Sequence, residues 1–305
     1  MYQLQKLTVF LLIVFTSCSG TGEFSESNRM SVLVTVIPQR YFVEKIAGDL
    51  VDVTILIPPG ANPAAYELSP SDMRHISGAA VWFTVGLQRE NSWIASLTSL
   101  NESMRVVNSV ERIQRLPIGR YDIPGEELLM ETEASSHGHD PTETDPHVWL
   151  SPELVRSQAS IVCETLTAVD PENAVLYAGN LSLFLGEIDS LQSEIHALLD
   201  PHRGERFMVF HPAWGYFADE YGLIQVPIEV SGSEPSPAEM GRLMDFGTRD
   251  SLAAVFVSPQ FSQSSAETIA GELGARVIVI DPLAENWAEN ILFVAGELAL
   301  AMEKQ

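Results

Sequence analysis

The sequence predicts an α/β protein with parallel strands, arranged as two halves on either side of one long helix. Three observations carry this. Short β-rich apolar runs alternate with segments of helical spacing along most of the 305 residues. Tyr177, Leu181, Phe184, Ile188, Leu191, Ile195 and Leu198 recur at alternating steps of four and three, which gives one helix an unbroken apolar face. The βα rhythm beyond that helix repeats the one before it, although no residue-level repeat accompanies it. The length suits two modest domains or one large one.

The first segment stands outside the fold. Met1 to Lys6 carries one positive charge, Leu7 to Phe15 is apolar apart from Thr8, and Thr16, Ser17 and Cys18 follow. This pattern predicts a secretory signal peptide over 1–17, with an apolar run too short to span a bilayer. Phe15-Thr16-Ser17-Cys18 resembles a bacterial lipobox, with Phe an unusual residue three places before the Cys. Cys18 is then the lipidated first residue of the mature chain, and 18–30 a tether. The alternative is ordinary cleavage near Cys18 and a soluble exported protein.

In the first half, strands are expected at Ser31 to Ile37 (ended by Pro38), Val53 to Ile57 (ended by Pro58-Pro59-Gly60), Ala80 to Val85 and Arg105 to Val107. Helices are expected at Phe42 to Leu50 and at Ser71 to Ser77, the second capped by Ser71-Asp72. Residues 117–146 are rich in Gly, Pro, Glu and His and read as a long loop, its histidines within 131–146. Ser151-Pro152-Glu153 opens the next helix. Asp170-Pro171-Glu172 starts the long one, with Asp170 as cap. From 172 to 199 it extends about 42 Å. In the second half, strands are expected at Phe207 to Phe210, Ile224 to Val230, Ala253 to Val257 and Val277 to Ile280. Helices are expected at 213–221, 237–249 (capped by Ser236), 262–273 and 287–303.

A net charge of −24 repels nucleic acid and attracts cations in a general way; no basic stripe or aromatic platform for bases is present. After Cys18 only Cys163 remains, so no intrachain disulfide forms, and Cys163 reads as a small buried hydrophobe.

Three of the seven histidines, His137, His139 and His147, lie within eleven residues. His211 directly follows the run FMVF, and Asp281 directly follows VIVI. Parallel sheets bind ligands at the carboxyl ends of their strands. Taken singly, a His or Asp in such a place is more often a helix cap or a surface residue. Two imidazole nitrogens and a carboxylate oxygen suit a borderline divalent cation, Zn2+ ahead of Mn2+, which prefers oxygen donors. Three ligands plus water also describe a zinc hydrolase. HExxH is absent, and Glu143 and Asp145 are only weak candidates for an acid or base. His75, His196 and His202 read as surface residues, and Trp149, Trp214, Tyr216 and Phe217 as packing.

Six segments, in order, carry a resemblance: PPGANPAAYELSPSD (58–72), DPHVWLSPE (145–153), FHPAWGYFADEYGL (210–223), EPSPAEM (234–240), FVSPQFS (256–262) and VIVIDPLAENWAEN (277–290). The chain resembles the zinc- and manganese-specific solute-binding proteins of bacterial ABC transporters over most of 31–305. The resemblance implies two lobes, each a small parallel sheet flanked by helices, at 31–169 and 201–305. A connecting helix at 170–200 joins them, with the metal between. It implies four ligand positions. His147 matches the second; His211 matches the third, which tends to be His in zinc proteins and Glu in manganese proteins; Asp281 matches the fourth. At the first, Ala64 stands where a His is usual. Water, His139 or His137 is then the substitute, with Glu67 a further candidate; loss of tight metal binding is the third outcome. For His137 and His139 the plainer alternative is a solvated loop that samples metal weakly. The implied protein is not an enzyme. It is a monomeric lipoprotein of the periplasm or cell envelope that delivers Zn2+ to an ABC permease, touching the membrane only through its lipid. A surface adhesin or a zinc buffer on the same scaffold is the alternative.

Overall fold

The computed structural model describes residues 29–117, 144–229, 233–261 and 263–304, apart from the His75 side chain. Cys18, His137 and His139 lie outside them. The first sheet is built from β1 (Met30–Val34), β2 (Val51–Ile55), β3 (Val81–Thr84) and β4 (Arg105–Asn108), in the order β2-β1-β3-β4. The second contains β5 (Arg206–Val209), β6 (Ile224–Pro227), β7 (Ala254–Val257) and β8 (Arg276–Val279), in the order β6-β5-β7-β8. All pairings are parallel. Both sheets therefore reverse their winding between the first and third strands, which opens a crevice at the carboxyl ends.

Helices cover these sheets: α1 (Ile37–Ala47), α2 (Pro70–Ile76), α3 (Glu90–Leu100) and α4 (Pro152–Val169) in the first half, and α6 (Gly215–Tyr221), α7 (Pro237–Arg249), α8 (Ser264–Leu273) and α9 (Trp287–Met302) in the second. Between them runs α5 (Ala174–Leu199), which buries Tyr177, Phe184, Ile188, Leu191, Ile195 and Leu199. Its apolar seam thus ends on Leu199 rather than Leu198, which is 38% exposed. A separate 3-10 turn, Pro171–Asn173, precedes α5. Asp170 occupies the N-cap position of that turn, and Asn173 that of α5; the Asp170 carboxylate accepts from Asn173 Nδ2 at 2.8 Å and from the Tyr177 hydroxyl at 2.6 Å, pinning the turn to the helix. Among the described residues no helix is long and apolar enough to cross a membrane.

Other boundaries differ from expectation for local reasons. β1 stops at Val34, and Pro38 lies inside the first turn of α1, where its missing N–H costs nothing. Ser69, not Ser71, caps α2: its hydroxyl accepts from Asp72 N at 3.2 Å and its own N–H donates to Asp72 Oδ2 at 3.1 Å. α3 lies where the sequence carries no helix-start signal: Arg89 at its N-cap makes no side-chain capping bond, and Trp93 and Leu97, four apart, are its buried apolar side chains.

The strands of the second sheet alternate between two cores. Phe207, Val209, Ala254 and Phe256 face the main core, which also contains the first sheet and the buried residues of α5 and α9. Met208, Val255 and Val257 face a smaller core with Leu243 and Phe246 of α7 and Ile269 of α8. At the start of α9, Trp287 packs edge-on to Phe42 of α1, with centroids 5.2 Å apart, and lies 6.3 Å from Phe184 of α5. Its indole N–H donates to Trp149 O at 2.7 Å, and the Trp149 indole donates to Pro282 O at 2.8 Å.

Trp287→Phe leaves the Trp149 carbonyl buried without its donor and opens a small void. It should destabilise the protein by about 2–4 kcal/mol in urea unfolding followed by circular dichroism; a change within about 0.5 kcal/mol, typical of surface sites, would contradict this packing.

Candidate metal centre

His147 is delivered by a short, well-anchored approach. Pro117 and Thr144 form an antiparallel bridge, and Asp145 N donates to Leu116 O at 2.8 Å. Beyond His147 comes the 3-10 turn Val148–Leu150, and then Ser151, whose hydroxyl oxygen accepts from Leu154 N at 3.2 Å to cap α4. The Tyr216 hydroxyl of α6 donates to Asp145 O at 2.9 Å and accepts from Leu116 N at 3.0 Å, so it is more than packing. Burial pushes its pKa up to about 12 and keeps it a donor.

The Asp145 side chain is 2% exposed. Its Oδ1 accepts the His147 backbone N–H at 2.9 Å and meets His147 Nδ1 at 2.7 Å. His211 lies two residues beyond β5, and Glu229 two residues beyond the neighbouring β6. Glu229 Oε1 meets His211 Nδ1 at 2.6 Å, and its side chain is 6% exposed. Phe261, just after β7, stacks on the His211 ring at 4.4 Å and 21°. The structure brings the two imidazoles together, with their Nε2 atoms 3.4 Å apart.

A carboxylate accepts hydrogen bonds, so the proton of each neutral ring is assigned to Nδ1. Both Nε2 lone pairs then face each other. Two nitrogens on a tetrahedral Zn2+ at ~2.05 Å are separated by about 3.3–3.4 Å. The observed spacing is that of one tetrahedral edge, and the carboxylate behind each ring is the usual partner of a metal-binding imidazole.

Asp281 lies two residues beyond β8, at the same edge of the sheet. Its Oδ1 accepts from Gln260 Nε2 at 2.7 Å and from Leu283 N at 2.9 Å. Among the described residues no group of three or more His, Cys, Asp or Glu is arranged to hold a metal ion, so Asp281 is not gathered with the imidazoles here. Glu67 is exposed, and its carboxylate is paired with Arg89. Arg89 Nε also donates to Ala64 O at 2.6 Å, while Ala64 N donates to Asn62 Oδ1 at 2.9 Å. His196 is exposed and lies 3.1 Å from Asp200. His202 is not a surface residue: its side chain is 12% exposed and meets Glu205 at 3.2 Å, an ordinary pair three residues apart.

Two parallel α/β sheets, a long central helix and a paired imidazole site define a metal-binding protein of the two-lobed solute-binding class. The family model for ZnuA, the periplasmic component A of zinc-uptake complexes, matches residues 32–295, and the chain belongs to this family. It is 32% identical over 257 residues to the high-affinity zinc uptake system protein ZnuA of Paracoccus denitrificans, covering 76% of this chain and 77% of that one. With the protein of the same name from Bacillus subtilis it shares 28% over 280 residues, covering 90% and 85%. A crystal structure of ZnuA superposes with a TM-score of 0.80 at 38% identity, covering 90% of this chain and all of that one.

Burial is the first cause that lowers the His211 pKa from 6.5; its hydrogen bond to Glu229 opposes it, and His147 adds to the lowering. The unfolded chain therefore binds the extra proton first as pH falls. The neutral ring's contribution to stability is complete above 6.5 and is lost on acidification below it. In metal-free protein, NMR titration should place the His211 midpoint below 6.5, and Glu229→Gln should lower it further. A midpoint above 6.5 would mean that Glu229 outweighs burial.

Proposed function

We propose that this protein captures Zn2+ outside the cytoplasmic membrane and hands it to the permease of an ABC importer. The observation that carries this is the pair of Nε2 atoms at 3.4 Å, each ring backed by a buried carboxylate. His147 and His211 are the proposed nitrogen ligands, and Asp281 the proposed oxygen ligand. Ala64 has no donor to give, so water, or His139 or His137, supplies the fourth position. A nitrogen-rich set favours Zn2+ over Mn2+. The rings must be neutral to bind, so affinity falls as pH drops through the histidine range.

The division of labour along the chain follows the same proposal. Residues 1–17 export it, Cys18 carries the lipid, 18–30 tether it, and 31–169 and 201–305 are lobes about the helix at 170–200. The working unit is a monomer. The family is one of substrate-binding transport proteins, and the Asp145 carboxylate supports a binding role over hydrolysis. Its Oδ1 meets both the His147 backbone N–H and Nδ1, the place of an orienting group. No observation favours the adhesin or buffer alternatives.

Calorimetry on chelator-stripped protein tests this. Zn2+ should bind with one site per chain; no binding by a folded protein would overturn the proposal. His147→Ala and His211→Ala should each weaken Zn2+ binding by about a hundredfold or more, beyond the usual cost of losing an outer partner. His139→Ala should cost less than His211→Ala, and equal losses would make His139 a fixed ligand.

A further inference from the structure

The Asp281 carboxylate is half committed within the fold. Oδ1 accepts two hydrogen bonds, from Gln260 Nε2 at 2.7 Å and from Leu283 N at 2.9 Å. The first crosses from the turn after β7 to the turn after β8; the second closes an Asx turn. The Asp281 carbonyl is also occupied, by Asn290 Nδ2 of α9 at 2.8 Å. This backbone is therefore fixed, and the carboxylate with it. Among the described residues no hydrogen bond reaches Oδ2.

A carboxylate oxygen has about two acceptor sites, and two donors fill them. Oδ1 is thus a poor metal ligand while Gln260 holds it, and Asp281 presents a single oxygen. Tetrahedral Zn2+ needs no more than one oxygen from such a group. Larger cations of higher coordination number fill their shells with more oxygens, bidentate carboxylates included.

We infer that Gln260 is a specificity-determining positioning residue, whose amide restricts Asp281 to one free oxygen and so disfavours cations that need two. This rests on the proposal that His147, His211 and Asp281 are the ligands. The turn that carries Gln260 also carries Phe261, stacked on His211. One segment thereby orients the imidazole and limits the carboxylate.

Gln260→Met keeps the side-chain length and removes the donor. Zn2+ and Mn2+ dissociation constants are measured by competition with a chelating indicator, and the d–d absorption of Co2+-loaded protein reports coordination number. The variant should shift the ratio of Mn2+ to Zn2+ affinity about tenfold towards Mn2+, the scale of an outer-partner effect. Its Co2+ absorption should weaken as a second oxygen joins. Adding Asp281→Ala should abolish that shift, because Gln260 acts through Asp281. Equal loss of both metals with an unchanged Co2+ spectrum would make Gln260 merely structural and overturn the inference. So would a shift that survives Asp281→Ala. Wild-type protein that binds neither metal would instead overturn the ligand assignment, and that failure is visible before any variant is made.

Discussion

The placement of His147 relative to Asp281 depends on one buried tryptophan. Trp149 lies two residues beyond His147, donates its indole N–H to Pro282 O and offers its own carbonyl to the Trp287 indole. Pro282 follows Asp281, and Trp287 opens α9. One residue thus links the His147 segment, the Asp281 segment and a helix packed against α1 and α5. An orphaned buried donor or acceptor costs about 1–3 kcal/mol, so sliding either segment is penalised at both bonds. The two segments are therefore referred to one core, although 134 positions separate His147 from Asp281. A site supported in this way has little freedom to loosen.

The electrostatics of the pair follow from what lies behind each ring. Asp145 and Glu229 are removed from water and face Nδ1 of His147 and His211. Buried carboxylates need a compensating partner, and neutral imidazoles supply hydrogen bonds without positive charge. Burial holds His211 towards its neutral form. The centre is consequently rich in acceptors and poor in positive charge, which suits the proposed binding of a divalent cation at the Nε2 atoms. Phe261 on His211 and Trp149 edge-on to His147 at 5.3 Å shield the rings from solvent.

What the sequence revealed was set by the range of the interaction involved. The seam of α5 was legible because it recurs over about six turns, and strand cores were legible as apolar runs. End positions were less so: Ser69 and Ser71 both suit a cap, and only the reciprocal bond with Asp72 separates them. His147 and His211 could be named from their places after apolar runs and from motif resemblance. Their partners could not. Glu229 reaches His211 only because β6 lies beside β5, and Gln260 reaches Asp281 only because β7 lies beside β8. Strand order is a property of the whole sheet. Asp145 was visible two residues from His147, yet spacing alone does not tell an orienting carboxylate from a catalytic one.

The two sheets share a strand order but use their crevices differently, and this explains where the proposed ligands come from. In the first half, Glu90 sits at the switch point between β1 and β3. It accepts from Val85 N at 2.8 Å, from Gly86 N at 2.6 Å and from the Thr35 hydroxyl. Gln39 accepts from Thr35 N at 2.9 Å and Val36 N at 3.1 Å. Burial raises the Glu90 pKa, and every one of these donors points inward. That crevice is closed on itself. Arg115 ties it to the next segment, bonding the Val85 and Gly86 carbonyls and the Thr144 hydroxyl. Gly86 has φ +80°, and a Cβ there would fall 1.9 Å from the guanidinium, so the contact requires glycine. In the second half the corresponding crevice, between β5 and β7, is lined by His211, whose Nε2 is turned outward to His147. With the first crevice sealed by its own polar groups, the first half contributes an imidazole from the segment that leads into α4, at the point where Arg115 and Tyr216 hold that segment in register.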